Sequence, residues 1–158
     1  MYFQDLTPCT YWANLASPKL LAVGWLDGEH EFPKGHVPER VTNRILELCV
    51  KEPVNRTRGR EKSPFFKVEN GVSVRYPYPV QVKWKGETYS LGSDEILVFG
   101  KSGRCYAAPN LIYHYIKDCG YLPPQEFLSA VSQPKIMFAI RRLVNQFCLS
   151  GMHRFTID

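Results

Sequence analysis

The chain has 158 residues, of which 44% are hydrophobic and 13% aromatic. This composition excludes a disordered chain, and the length fits one domain that buries roughly 70% of the surface exposed by its unfolded form. The 20 Lys and Arg residues exceed the 15 Asp and Glu residues, and the resulting net charge of +5 favours acidic partners without identifying one.

The first predicted strand and helix come before residue 52. Residues 19–26 are apolar, short and followed by the turn residues Asp27 and Gly28, so they predict a buried strand. Pro38 suits the first turn of a helix, and apolar residues recur at helical spacing from Val41 to Cys49. We therefore predict a helix from about Pro38 to Lys51, ending before Pro53.

A series of strands is predicted in the middle of the chain. Residues 52–64 lack periodicity and contain prolines and a glycine, so they predict an exposed loop. Strand-like runs follow at residues 65–68, 72–75, 80–84, 88–91, 95–99 and 104–107. Val80, Val82 and Trp84 alternate with polar residues, which is typical of a sheet with one face in water. The expected arrangement is an antiparallel meander.

Further helices are predicted in the last third of the chain. Pro109 is predicted to open a second helix, which ends at Gly120 in the position that a helix C-cap favours. A short helix through Phe127 and Val131 follows, and Pro134 is predicted to start another. The sequence thus predicts a single α+β domain over residues 1–158, with an antiparallel β-sheet packed against three to four helices.

The sequence lacks a secretory signal, a membrane-spanning run and a cysteine motif for metal binding. The N-terminus lacks a secretory signal and no run is long enough to span a membrane, so we expect a cytoplasmic protein without membrane contact. The five cysteines lie 14 or more residues apart, and no CxxC pair exists. Cys49, Cys119 and Cys148 continue the apolar stripes of predicted helices, where a thiol acts as a small hydrophobe. We expect neither a metal nor a cofactor.

Six motifs carry a family resemblance. They are AVGWL at 22–26, HEFPKG at 30–35, NRTRG at 55–59, GSDEI at 92–96, YAAPNLIYHY at 106–115 and GYLPPQEF at 120–127. On these motifs the chain resembles a family of small bacterial proteins of uncharacterised function. The likeness covers residues 1–131, which implies that residues 132–158 are a C-terminal helical extension.

One departure from this family bears on metal binding. Its members resemble metal proteins in carrying a His and a CxxC pair just after the Arg-Gly step. Here Ser63 and Phe66 occupy the positions of the two thiols. Because neither side chain supplies a thiolate, the resemblance implies no zinc site in this chain.

The histidines are the candidates for acid–base chemistry. His30 and His36 lie in a loop with Asp27, for which we favour a solvated loop over a metal site. His114 lies on the second predicted helix, one step off its apolar stripe. A hydrogen-bonded or surface histidine is the favoured interpretation, and the alternative is an enzyme pocket that joins His114 to Asp94 and Glu95.

Positive charge and aromatic residues suggest a binding surface. Residues 51–67 hold six basic residues against two acidic ones, and tyrosines follow close behind. Arg and Tyr are enriched at interface hot spots. The candidate partner-binding residues are Arg56, Arg58, Arg60, Lys62, Tyr76, Tyr78 and Trp84.

The leading functional hypothesis is a non-enzymatic protein-binding module. Its narrower form is an immunity protein that neutralises a cognate bacterial toxin by occluding the active site. The alternatives are a nucleic-acid-binding protein that uses the basic loop 51–67, with Phe65 and Phe66 stacking on bases, and the His114 enzyme.

Overall fold

A computed structural model describes residues 1–11 and 20–133. The elements along these residues are β1 (Leu20–Ala22), α1 (Glu39–Lys51), β2 (Phe66–Glu69), β3 (Val72–Arg75), β4 (Gln81–Trp84), β5 (Glu87–Ser90), β6 (Glu95–Phe99), β7 (Cys105–Pro109), α2 (Ile112–Cys119) and α3 (Gln125–Val131). A short 3-10 turn at Lys101–Gly103 joins β6 to β7. The predicted α+β class is confirmed.

The helices begin and end for local reasons that the sequence shows. Pro38 precedes the first residue of α1, and the apolar stripe of α1 faces the interior. Gly120 follows the last residue of α2 and has φ 73°, the left-handed conformation that glycine adopts without steric cost. The predicted start of α2 at Pro109 is wrong, because Pro109 ends β7 and α2 begins at Ile112.

The predicted meander is also wrong, because the strands in the described part of the chain form three separate sheets. The central sheet has the order β1-β7-β6, with β1 parallel and β6 antiparallel to β7. Within residues 1–11 and 20–133, β2 pairs only with β3, and β4 pairs only with β5. Pro77 and Pro79 lie between β3 and β4, and proline has no N–H to donate to a sheet. The two hairpins therefore do not join into one sheet.

The core lies between the central sheet and the helices. α1 packs against α2, α3, β4 and β6, and α3 also packs against β6. Val23, Ile45, Ile96, Ile112 and Phe127 have no exposed surface. The hairpin β2–β3 contributes little to this core, since most of its residues are exposed on both faces. It therefore projects from the domain.

Some expectations fall on the parts of the chain without a description. The helix predicted from Pro134, Cys148 and nearly all of the predicted extension 132–158 lie outside the described residues. Among the helices of residues 1–11 and 20–133, none combines the length and the apolar character that a membrane span needs.

Candidate functional site

The basic loop between α1 and β2 is fastened to the start of β6. The backbone N–H groups of Val54 and Glu95 each donate to the other residue's carbonyl oxygen, at 2.8 and 3.0 Å. The Thr57 N–H donates to the Ser93 carbonyl at 2.8 Å, and the Glu61 N–H donates to the Gly92 carbonyl at 2.8 Å. The loop therefore lies along residues 92–95 and is held there by four backbone hydrogen bonds.

Two buried carboxylates accept hydrogen bonds from this loop. Arg56 Nε lies 2.6 Å from Asp94 Oδ1, and the Ser93 hydroxyl donates to Asp94 Oδ2 at 2.8 Å. The Asn55 amide donates to both oxygens of Glu95. Arg56, a predicted partner-binding residue, is thus engaged in an ion pair with a buried carboxylate, although 72% of its side chain is exposed. Its guanidinium fixes the loop in place.

A second polar cluster surrounds His114, whose surface is only 1% exposed. His114 Nδ1 lies 2.6 Å from Asp118 Oδ2, and Nε2 lies 2.9 Å from the Ser63 hydroxyl. The Tyr76 ring covers the imidazole edge-on, with ring centroids 4.4 Å apart. The Tyr76 hydroxyl donates to the Asp118 carbonyl at 3.0 Å. This cluster connects the basic loop, α2 and the end of β3.

The hydrogen bonds of His114 run to Ser63 and Asp118, and the alternative of an enzyme pocket that joins His114 to Asp94 and Glu95 stays a prediction. Both imidazole nitrogens face Ser63 and Asp118, whereas the carboxylates of Asp94 and Glu95 are held by residues of the basic loop. The His114 and Asp118 positions are four apart on a helix, a spacing that brings side chains together and is visible in the sequence. The contact with Ser63, 51 residues away, has no such signal.

The cluster resembles the hydrogen-bond chain of a serine nucleophile, but its chemical access is poor. Ser63 is only 7% exposed, and the Tyr76 ring lies over the imidazole. Cys119 Sγ lies 3.8 Å from His114 Nε2, and burial raises the pKa of this thiol to about 11, so it is protonated at neutral pH. Burial also raises the pKa of Tyr76 to about 12. The buried serine, the covered imidazole and the protonated thiol together favour a structural role for this cluster.

We expect His114→Ala to lower the free energy of unfolding by about 3 kcal/mol, because it leaves a cavity and removes two hydrogen bonds. Asp118→Ala is the matched control, since 46% of the Asp118 side chain is exposed and its loss leaves the Ser63 contact intact. It should cost about 1 kcal/mol. Urea denaturation measures both, and equal losses would contradict a buried anchoring role for the imidazole.

Three of the predicted binding residues come together on the surface. The Tyr78 hydroxyl donates to the Arg60 carbonyl at 3.3 Å, and Lys62 Nζ lies 5.2 Å from the centroid of the Tyr78 ring. Tyr78 is 54% exposed. Arg58 is also exposed. An exposed tyrosine ring with a lysine ammonium beside it thus lies next to the segments that flank the β2–β3 hairpin.

The remaining candidates lie elsewhere or are partly covered. Trp84 lies against Lys51 at the end of α1 and against Lys85, whose Nζ atoms are 5.0 and 4.7 Å from the centroid of its ring. Tyr76 is half-buried over His114. His30 stacks on Tyr2 in an exposed loop and pairs with Asp27 at 2.9 Å. In residues 1–11 and 20–133, no three His, Cys, Asp or Glu side chains are placed to hold a metal ion.

The hairpin itself carries three exposed apolar side chains, of which the sequence analysis singled out only Phe66. Val68 is 75% exposed, Val72 is 62% exposed and Phe66 is 50% exposed. The Arg75 guanidinium lies 4.6 Å from the centroid of the Phe66 ring. Their strand pattern predicted an ordinary sheet, and only the isolation of the hairpin leaves them uncovered.

Comparisons with known proteins identify a family and nothing more specific. Neither the curated proteins nor the solved structures include a match to this chain. The family described as "Domain of unknown function (DUF7919)" matches residues 1–132, and this confirms the resemblance to a family of uncharacterised function. Because that match spans most of the sequence, the chain belongs to the DUF7919 family.

Proposed function

We propose that the chain is a protein-binding module that holds an acidic partner through residues 56–78, which we call the basic arm. The basic arm comprises most of the loop after α1, the β2–β3 hairpin and the segment through Tyr78. The observation that carries the proposal is that positive charge and exposed apolar side chains occur together on this one segment of the chain.

The basic arm carries a large share of the positive charge of the protein. It contains six Lys and Arg residues against two Glu residues, a net charge of +4 out of +5 for the whole chain. A localised positive surface attracts negatively charged partners and orients them during encounter. Outside the arm, residues 134–158 carry a net charge of +3 and the rest of the chain a net charge of −2.

Exposed aromatic and branched side chains accompany this charge. Phe66, Val68, Val72 and Tyr78 are each at least half exposed, which exposes apolar surface that a protein partner can cover. Arg and Tyr side chains dominate the energetics of many protein interfaces. A purely electrostatic surface would not need the two valines, whereas a protein interface gains from burying them.

The fixed base of the arm also favours binding. The backbone bonds to residues 92–95 and the contact of Ser63 with His114 hold the basic loop before any partner arrives. A surface that is ordered in advance loses less conformational entropy on binding. The buried polar residues Asp94 and His114 thus support the arm and need not contact the partner.

Site-specific photo-cross-linking in the native host tests this proposal. A photoreactive phenylalanine analogue at position 78 should give one discrete protein adduct, and the adduct should decrease when the ionic strength of the buffer is raised. The matched control is the same analogue at Lys101, an exposed lysine in the turn between β6 and β7. Adducts that disappear on nuclease treatment would instead identify a nucleic-acid-binding protein.

The narrower form of the proposal is that the partner is a bacterial toxin domain and the chain is its immunity protein. An acidic or apolar active-site cleft would receive the exposed side chains of the arm. Cells that express the toxin domain encoded by a neighbouring gene should stop growing, and co-expression of this chain should restore their growth. Growth restored equally by a chain with Arg60→Glu and Lys62→Glu would show that the arm is not the inhibitory surface.

A further inference from the structure

A groove lies beside the hairpin, between β2 and the end of α2. It has a volume of about 380 Å³, within the range of small ligand and side-chain pockets. Four of its lining residues are aromatic: Phe32, Phe65, Phe66 and Tyr76. Phe65 packs against Phe32 and Tyr115 with ring centroids 5.1 and 5.4 Å apart, so the floor of the groove is rigid.

The polar groups of the groove are mainly positive. Lys34 Nζ lies 5.5 Å from the centroid of the Phe32 ring, and Lys67 Nζ lies 6.0 Å from that of Tyr76. Both lysines line the groove together with Asp118, whose carboxylate is paired with His114. Two ammonium groups thus stand at the rim of an aromatic pocket, which suits an apolar group flanked by negative charge.

We propose that this groove receives one aromatic side chain of the partner, from a segment in which acidic residues flank that side chain. The inference rests on the proposed function and adds the recognition chemistry of the partner. The aromatic ring packs edge-to-face against Phe65, Phe66 and Tyr76. Carboxylates on either side of it pair with Lys34 and with Lys67, where the partner's carboxylate displaces the exposed Glu69 carboxylate that pairs with Lys67 in the free protein.

Other ligands fit these observations less well. A cationic ligand would compete with the two lysines that already lie against the aromatic rings. A phosphate backbone would approach the Asp118 carboxylate, which lines the same groove. An acidic peptide can place its ring in the groove and its carboxylates at the lysines when the acidic residues stand two positions before and after the aromatic residue, because alternate side chains of an extended segment share one face.

Nuclear magnetic resonance titration of the full chain, labelled with nitrogen-15, tests the inference. The probe is a short peptide with one central phenylalanine and acidic residues on both sides, added up to about 2 mM so that weak binding is detected. We expect shifts confined to the amides of the groove. A peptide with serine in place of phenylalanine should bind about 10-fold more weakly, because a buried ring contributes most of the apolar contact.

Two pairs of variants localise the effect. Val68→Ser removes an apolar side chain that lines the groove and should weaken peptide binding about 5-fold. Val72→Ser, in the same hairpin and 62% exposed, lies outside the groove lining and should not. Lys67→Glu should weaken binding about 10-fold by placing like charges together, whereas Lys101→Glu should have little effect.

Several outcomes would overturn the inference. Absence of shifts, equal binding of the serine peptide, or stronger shifts with an oligothymidylate than with the peptide would each exclude an aromatic anchor in this groove. Cross-linking at position 78 distinguishes failure of this inference from failure of the proposed function. If Val68→Ser and Lys67→Glu leave cross-linking at position 78 unchanged, the basic arm binds a protein and the groove does not hold its anchor.

Discussion

Gly92→Ala is expected to lower the free energy of unfolding by about 3 kcal/mol, because two unfavourable effects coincide at this position. Gly92 has φ +100°, a backbone conformation that residues with a side chain rarely adopt. A methyl group there would lie 2.6 Å from the carbonyl oxygen of Glu61. Since that oxygen belongs to the backbone, the basic loop would have to move away from residues 92–95.

Gly86→Ala is the matched control for this prediction. Gly86 also has a positive φ, +86°, but an added methyl group there meets nothing within 4 Å. Its cost should be about 1 kcal/mol, which is the backbone contribution alone. Urea denaturation gives both values. Equal losses for the two variants would show that the contact between the basic loop and Gly92 contributes nothing beyond backbone conformation.

The Gly92 substitution should also affect binding if the fixed base of the arm matters. Displacement of the loop breaks the bond from the Glu61 N–H to the Gly92 carbonyl. The arm then becomes less ordered, and partner affinity should fall even though no contact residue has changed. Gly86→Ala, in the turn of the other hairpin, should leave partner affinity unchanged.

The combined substitution Arg60→Glu with Lys62→Glu is expected to weaken partner binding about 100-fold or more, since it places like charges at the interface. Both side chains are exposed, so the fold should persist. Because long-range attraction steers encounter, much of the loss in affinity should come from a slower association rate. This rate should also become less sensitive to salt. Surface plasmon resonance with the partner identified by cross-linking, at several ionic strengths, measures the association and dissociation rates.

The control for this variant carries the same change in net charge elsewhere. Lys83→Glu with Lys101→Glu alters two exposed lysines, one on β4 and one in the turn before β7. It should slow association only slightly through the lower net charge. If both double variants lose affinity equally, overall charge would explain binding and the basic arm would have no special role.

Local structure was well predicted from the sequence because local signals determine it. Pro38 and Gly120 mark the ends of helices through backbone restrictions that belong to the residues themselves. The turn at Asn70 and Gly71 separates β2 from β3, and both residues have positive φ. The alternation of Val80, Gln81 and Val82 also matches the burial in the structure.

Contacts between distant segments could not be predicted in the same way. β1 lies parallel to β7, with Leu21 opposite Tyr106, although most of the chain separates the two strands in sequence. The Trp25 Nε1–H likewise donates to the carbonyl of Ala107, 82 residues further along the chain. Nothing local to Ser63 indicates that it meets His114. Exposure of Val68 follows from the isolation of its hairpin, which depends on how all the strands pair.

Hydrogen–deuterium exchange of the full chain, alone and with the partner identified by cross-linking, tests most directly the claim that the basic arm binds a protein. The account predicts that bound partner slows exchange of the amides in residues 58–78, with further slowing at Phe32 and Lys34 if the groove is occupied. Unchanged exchange throughout the basic arm, with slowing confined to α1, α3 or the β4–β5 hairpin, would contradict it.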